Sequence, residues 1–352
     1  MPQCQDHLKT DADNLVVRKI YGKHQVRYLK CKTCGTEFSE RKGTPLWNSK
    51  INPDTFIKVA ETLCEGNSIS ATTRLCKVHH DTVERIIVVT GNHAKALHDH
   101  KAVQVKTTAL QADERYGFYG SKSQPCWEAT VIDPYSKFVV SLRLGARDEM
   151  LIRGLLEDAR SRLADPQNLA LFTDGGHGYA TLFPEIFGMP YQPKKKGHKG
   201  RPPKVKYRIP RMLAHVQLIK VREGKKLKTV DICYTHGTPG RIKLELERLG
   251  HNTPNTSAVE RQNGTARQHN PYLHRKGLAF AHKKITRVGL AELERLSYNW
   301  VKTCRSLHLK LSERVGRRKY LHRTPAMAMG LTDRIFTLGE LLATPIHALG
   351  SA

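Results

Sequence analysis

The sequence predicts a mixed α/β core preceded by a small metal-held β module and a compact helical module. Three observations carry that prediction. Two pairs of metal-ligand residues, Cys4-x-x-His7 and Cys31-x-x-Cys34, flank a hairpin-like segment near the start. Helical apolar spacing dominates residues 52–98. From Thr107 onward, β-rich runs alternate with helical patterns, the arrangement that builds an α/β layer.

The chain has 352 residues, enough for more than one core. Its formal net charge is +27, and a chain this basic usually meets a polyanion, most often nucleic acid. Anionic membrane is the competing partner, but no apolar run approaches the roughly 18 residues that span a bilayer. The N-terminus lacks the apolar stretch of a signal peptide. A soluble, intracellular protein is expected. Cys64, Cys76, Cys126, Cys233 and Cys304 are scattered and read as reduced, mostly buried thiols.

Residues 1–48 read as a zinc ribbon. Leu15–Tyr21 and Gln25–Lys30 form strands that turn at Gly22-Lys23, and the two knuckles close a tetrahedral structural Zn²⁺ site from Cys4, His7, Cys31 and Cys34. His24 is an alternative ligand. Residues 49–100 follow. Asn52-Pro53 starts a helix with Phe56, Ile57, Val59, Ala60 and Leu63 on its apolar side, and Gly66-Asn67 stops it. Ser68 or Ser70 caps a second helix through Leu75. A turn, Cys76–His80, leads to a third helix from Asp81 to about Val89. Helix, short turn, helix is the helix-turn-helix pattern, which would offer Thr82 and Arg85 to a major groove. Any small three-helix domain shares the pattern. His79, His80, His93, His98 and His100 lack a common ligand spacing and read as surface or core residues.

Residues 105–310 carry the α/β core. Thr108–Asp113 is a strand ending in acid; Cys126–Ile132 and Phe138–Leu144 are two more, joined by Asp133-Pro134-Tyr135-Ser136. Asp148–Leu163 is a helix with Met150, Leu151, Leu155, Leu156 and Ala159 facing inward. Leu169–Thr173 has no alternation, so it is a buried strand, and it ends at Asp174. Tyr179–Phe187 is a short helix containing Pro184. Residues 190–250 read as a basic insertion. Between Lys194 and Arg248 there are 17 Lys and Arg against 4 Asp and Glu, a net +13. Within it, Ala214–Val221 and Leu227–Tyr234 form a hairpin around Glu223-Gly224. Lys194, Lys195, Lys196, Lys199 and Arg201 precede the hairpin, and Gly200-Arg201-Pro202 weakly resembles the core of an AT-hook. The run either clamps DNA or is a solvated basic loop. Leu290–Cys304 is a further helix, 306–323 is basic and irregular, and the tail, 311–352, ends in an amphipathic helix, Leu331–Leu342.

Three acids stand out. On a helix, Glu260, Asn263 and Arg267 fall at i, i+3 and i+7, on one face, while Val259, Gln262 and Ala266 occupy another flank. Ser257-x-x-Glu260 equally fits a capping box. Asp113 and Asp174 fall at strand ends, where open α/β sheets gather chemistry, although an Asp there also begins turns. Together, Asp113, Asp174 and Glu260 suit two Mg²⁺ (or Mn²⁺) ions that drive in-line attack on a phosphodiester. Asn263 and Arg267 suit a phosphate. Among the other acids, Glu114 points to the opposite sheet face, Asp133 is a turn residue, and Asp148 or Glu149 begins a helix.

Over most of its length the chain resembles the DDE-type insertion-sequence transposases, closest to the IS-one family. The resemblance rests on Cys4–Cys34, on Gly66–Gly91, and on Asp113-Glu114-Arg115-Tyr116-Gly117-Phe118. It continues in Thr173-Asp174 with Gly178-Tyr179, in Glu260-Arg261-x-Asn263 with Arg267, Arg275 and Lys276, and in Tyr298-Asn299-Trp300 and Thr324-Pro325-Ala326-Met327. The chain departs from the family pattern in having His7 where a Cys is usual, Tyr116 where Trp is common, and extra residues between Asp174 and Glu260. The resemblance implies an RNase H-like catalytic core and a DNA transposase that cleaves and transfers strands with Asp113, Asp174 and Glu260. It implies double-stranded DNA as partner, both terminal inverted repeats and target, with Arg275 and Lys276 among the contacts. A homodimer or larger homo-oligomer on DNA, in the cytoplasm and associated with the nucleoid, follows from the same reading. A non-catalytic DNA-binding regulator derived from a transposase is the alternative, and a nuclease of the same fold a further one.

Overall fold

The computed structural model describes residues 3–6, 9, 13–176, 178–194, 201, 203–224, 226–316 and 318–346. The N-terminal strands β1 (Leu15–Tyr21), β2 (Val26–Cys31) and β3 (Glu37–Ser39) make an antiparallel sheet in that order. The hairpin expected at Gly22-Lys23 forms, with Gly22 and Gln25 both at positive φ.

Three helices follow: α1 (Pro53–Cys64), α2 (Ile69–Cys76) and α3 (His80–Lys101). Asn52 caps α1 and Ser68 caps α2, each side chain accepting a backbone N–H of the first turn. Lys77, in the left-handed region, ends α2 and opens the short turn into α3. α3 runs a dozen residues beyond the expected end at Val89, because tertiary packing sustains it. Gly91 lies against Gly289 so closely that a Cβ on Gly91 would stand 2.3 Å from the Gly289 Cα.

The core elements are β4 (Ala109–Arg115), a small hairpin of β5 (Phe118–Tyr119) and β6 (Ser121–Pro125), β7 (Trp127–Ile132), β8 (Val139–Gly145), α4 (Glu149–Arg162), β9 (Leu169–Asp174) and α5 (Tyr179–Phe187). Then come β10 (Met189–Tyr191), β11 (Lys206–Arg208), β12 (Leu213–Glu223), β13 (Lys226–His236), α6 (Pro239–Leu249), α7 (Ser257–His269) and α8 (Lys284–Trp300). A six-stranded sheet has the order β13-β12-β9-β4-β7-β8. Its centre, β12-β9-β4, is parallel; β7, β8 and the edge strand β13 pair antiparallel. α4 and α5 cover one face, α6 and α7 the other. Asp148 caps α4 by accepting from the Leu151 N–H at 2.9 Å. Pro184 inside α5 deprives the Ala180 carbonyl of its usual partner, and His236 Nε2 fills the gap at 2.7 Å.

Several expectations need correction. Residues 190–250, expected as a basic insertion with a hairpin of its own, give β12 to the core sheet, with Ala214 and Val216 fully buried under α6. Met150 faces out, 81% exposed, because the buried stripe of α4 is set by Leu151, Ile152, Leu155, Leu156 and Ala159. Cys233 lies exposed on the edge strand. The stretch expected to be irregular pairs as β14 (Leu309–Val315) with β15 (Arg318–Leu321). A one-turn α9 (Pro325–Ala328) precedes α10 (Leu338–Ala343), which is shorter than expected because a capping box of Thr337 and Glu340 sets its start. One apolar cluster runs from Phe56 and Ile87 through Leu110, Leu155 and Phe183 to Leu296, Trp300 and Leu341. The helical module, the sheet and the tail helix thus share a core.

Candidate active site

Strand alternation selects what faces α6 and α7. From β4 these are Ala109, Gln111, Asp113 and Arg115; from β9, Ala170, Phe172 and Asp174; from β12, Ala214, Val216, Leu218 and Lys220. The last paired positions of β4 and β9 are Ala112 and Thr173, so Asp113 and Asp174 are the next pair, on adjacent parallel strands and one face. Asp174 Oδ1 accepts the Gly176 N–H at 2.9 Å, and Asp113 Oδ1 accepts the Glu114 N–H at 2.8 Å. Burial, and then the facing Asp174, push the Asp113 carboxyl up to about 7. A cation between the two carboxylates would relieve that repulsion.

Helix α7 is tied along β4 by three consecutive inward residues. Gln111 Oε1 accepts the free N–H groups of Ala258 and Val259, at 2.9 and 3.1 Å, and its Nε2 donates to the Asn255 carbonyl at 2.9 Å. Asn263 Nδ2 donates to Asp113 Oδ2 at 2.7 Å. Arg115 donates to Gln262 Oε1 at 2.7 Å and to Asn263 Oδ1 at 2.9 Å. Arg115 has only donors, so it fixes the Asn263 amide with its NH₂ toward Asp113. Arg115 itself is held by Glu128, its cross-strand partner on β7, which also pairs with Arg287 at 2.6 Å.

The capping-box reading of Glu260 does not describe α7. The helix begins after Thr256, Ser257 turns its hydroxyl to Asn255 Oδ1 at 2.7 Å, and Glu260 stands one position too late to reach back. Instead, Glu260 Oε1 accepts from the Thr256 hydroxyl at 2.8 Å and pairs with Lys220. Burial raises its pKa, but Lys220 and Thr256 outweigh that and hold it below the usual value. Arg267 is half-buried, within electrostatic reach of Arg275, Arg115 and Asp113. Arg275 and Lys276 are exposed.

Glu114 does point to the other face, yet it borders the site. Its carboxylate accepts from Arg147 Nε at 3.2 Å, and a Cβ on Gly176 would lie 2.9 Å from Asp174 Oδ1 and 3.7 Å from Glu114 Oε1. Gln111, Arg115, Thr256 and Lys220 were given no role from the sequence. The signal was present for two of them: a buried strand that alternates Gln, Asp and Arg needs polar partners on the face it covers.

Among the described residues, the cysteines Cys4, Cys31 and Cys34 have sulfurs that all lie within 4.8 Å of one another and could hold a metal such as zinc. Asp113, Asp174 and Glu260 do not form so tight a trio, since Glu260 turns to Lys220. Three free thiols at the end of a hairpin, with Gly35 at positive φ closing the second knuckle onto the Cys31 carbonyl at 2.9 Å, suit a tetrahedral ion. His7, and with it the fourth ligand, lies outside the described residues, as do Lys195, Lys196 and Lys199. Lys194 and Arg201 are exposed. On α3, Thr82 is half-buried and Arg85 exposed, its guanidinium donating to the Asn48 carbonyl at 3.3 Å. No helix among the described residues is long and apolar enough to cross a membrane. No protein-family model and no curated protein matches the chain.

Proposed function

We propose that this chain is a DNA transposase, cleaving and transferring strands at Asp113, Asp174 and Glu260. One observation carries the reading: Asp113 and Asp174 lie side by side on neighbouring parallel strands, and the helix bearing Glu260 is bonded to that same strand through Gln111 and Asn263. The strand order β8-β7-β4-β9-β12, with three strands antiparallel and then two parallel, supports an RNase H-like core. Mg²⁺ or Mn²⁺ held by the three acids would activate water and stabilise the leaving oxygen. The chain's own contribution is positional. Asn263 keeps Asp113 aimed, Arg115 keeps Asn263 aimed, and Arg267 offers a guanidinium for the scissile phosphate. The N-terminal sheet, with Zn²⁺ on Cys4, His7, Cys31 and Cys34, and the helices α1–α3 acting as a helix-turn-helix would bind terminal inverted repeats, with two or more copies on the DNA.

The reading is tested with DNA carrying the inverted repeats that flank the coding sequence, and Mg²⁺ or Mn²⁺. Asp113→Asn, Asp174→Asn and Glu260→Gln should each abolish 3′-OH formation and strand transfer while leaving DNA binding intact. Full activity in any of the three overturns it. The Lys220–Glu260 pair favours a second reading, a non-catalytic DNA-binding regulator in which a lysine neutralises the third acid. Binding without cleavage by the wild-type chain, at any divalent-ion concentration, would select that one.

A further inference from the structure

Beyond the carboxylates, β4 ends in an aromatic surface that the proposed chemistry does not use. Tyr116 is 46% exposed. Its ring meets the Trp127 ring edge-on at 5.4 Å and lies 6.2 Å from the Phe118 ring, which stacks on Phe280 at 5.7 Å. The Arg147 guanidinium covers Trp127 at 4.5 Å. Tyr116 is also fixed through its backbone. Arg115 before it is buried in the Glu128 pair, and a Cβ on Gly117 after it would lie 2.9 Å from Arg287 Nη2 and 3.0 Å from the Cys126 carbonyl. The ring meets solvent three residues from Asp113, about 10 Å along the chain, on the side of β4 that carries Glu114 and Arg147, so a nucleic-acid strand held at the carboxylates reaches it around the end of β4.

We propose that Tyr116 is a stacking platform for an unpaired base of the nucleic-acid strand held at the carboxylates, an inference that rests on the DNA-processing reading of that site. Every base has a π-face, but a paired base inside a duplex has already stacked both of its own, so the ring has a partner only where the strand is unpaired. The neighbouring charge fits a phosphate backbone: the exposed Arg147 guanidinium lies over Trp127, which the Tyr116 ring touches, while pairing with Glu114. A second feature points the same way. Leu278 is 97% exposed at the tip of a loop that is pinned by a bridge between Ala281 and Tyr119 and by the Gly120 N–H on the Ala281 carbonyl at 2.8 Å. A lone apolar side chain on an anchored basic loop has the form of a wedge that separates stacked bases.

The test is a pair of anisotropy titrations of the full-length chain without added divalent ion, at one salt concentration. One probe is labelled oligothymidylate of about 20 nucleotides; the other is a duplex of equal length. Tyr116→Ala should weaken binding to the single strand about tenfold and leave duplex binding within about twofold. Tyr116→Trp should restore single-strand binding. Tyr116→Leu keeps an apolar contact on Trp127 without a π-face and should behave as Ala, which separates stacking from loss of packing. Equal loss on both probes, no loss on either, or full binding by the Leu variant overturns the proposal. No cleavage is needed, so a chain that never cuts DNA would defeat the transposase reading while this result stays legible.

Discussion

His215 shows how a single buried group ties the sheet to pH. It lies on β12, fully enclosed, with Nε2 to the Thr173 hydroxyl at 3.1 Å, Nδ1 to the Thr235 hydroxyl at 2.6 Å, and Phe183 stacked 5.3 Å away. Burial, reinforced by His236, pulls its pKa down to about 3. The folded state therefore refuses a proton that the unfolded chain accepts below about 6.5. The stability from keeping His215 neutral is complete above that pH and drains away as pH falls through the folded value, a loss of roughly 4 kcal/mol near pH 3. Thermal unfolding followed from pH 7 to 4 should show Tm falling more steeply in the wild type than in His215→Gln. Parallel curves would mean that another group sets the acid limit.

Among elements, the α3–α8 crossing and the N-terminal sheet make opposite demands. At the crossing, backbone meets backbone, and Gly91 and Gly289 are required because any Cβ collides with main chain that cannot yield. Gly91→Ala should cost about 1–3 kcal/mol or more and lower the denaturation midpoint, whereas Gly154→Ala on the open face of α4, where nothing lies within 4 Å, should be neutral or stabilising. The N-terminal sheet has few buried apolar residues, and all of β1 is exposed. A metal on Cys4, Cys31 and Cys34 would supply the folding free energy that this sheet lacks in apolar burial. Elemental analysis should find one Zn²⁺ per chain, absent after Cys31→Ser with Cys34→Ser. Chelation should unfold residues 1–48 while the α/β core persists. A chelated protein with unchanged near-ultraviolet signal and protease resistance in that segment would count against it.

For the whole molecule, the proposed transposase reading gives the basic stretch after Asp174 the role of guiding DNA across the face that carries the three acids. β12 carries Lys220 to Glu260, so the hairpin strand that follows the run passes directly beside the carboxylates. Replacing Lys194, Lys195, Lys196, Lys199 and Arg201 with Ser should flatten the dependence of log K on log salt by up to about 0.9 for each phosphate that is no longer neutralised, with little dependence on DNA sequence. An unchanged slope would assign the run to solvent.

Sequence alone determined the local features: the hairpin between the cysteine pairs, the caps at Asn52, Ser68 and Asp148, the strand end at Asp174, and the shared face of Glu260, Asn263 and Arg267, whereas the strand expected to end at Asp113 runs on to Arg115. Each depends on turn chemistry or on a period of two or 3.6, which act within a few residues. Tertiary structure decided the rest. β12 read as half of a hairpin within a basic insertion because its alternation says only that one face is buried, not that β9 pairs beside it. α3 outran its own signals because Gly289, about two hundred residues away, packs on it. The capping box at Ser257 and Glu260 failed because the two N–H groups it would have filled are taken by other partners, that of Ser257 by Asn255 Oδ1 and that of Glu260 by the Thr256 carbonyl, while Gln111, from another strand, takes the next two. A helix end accepts any partner that arrives with the right geometry, and only the assembled sheet determines which one arrives.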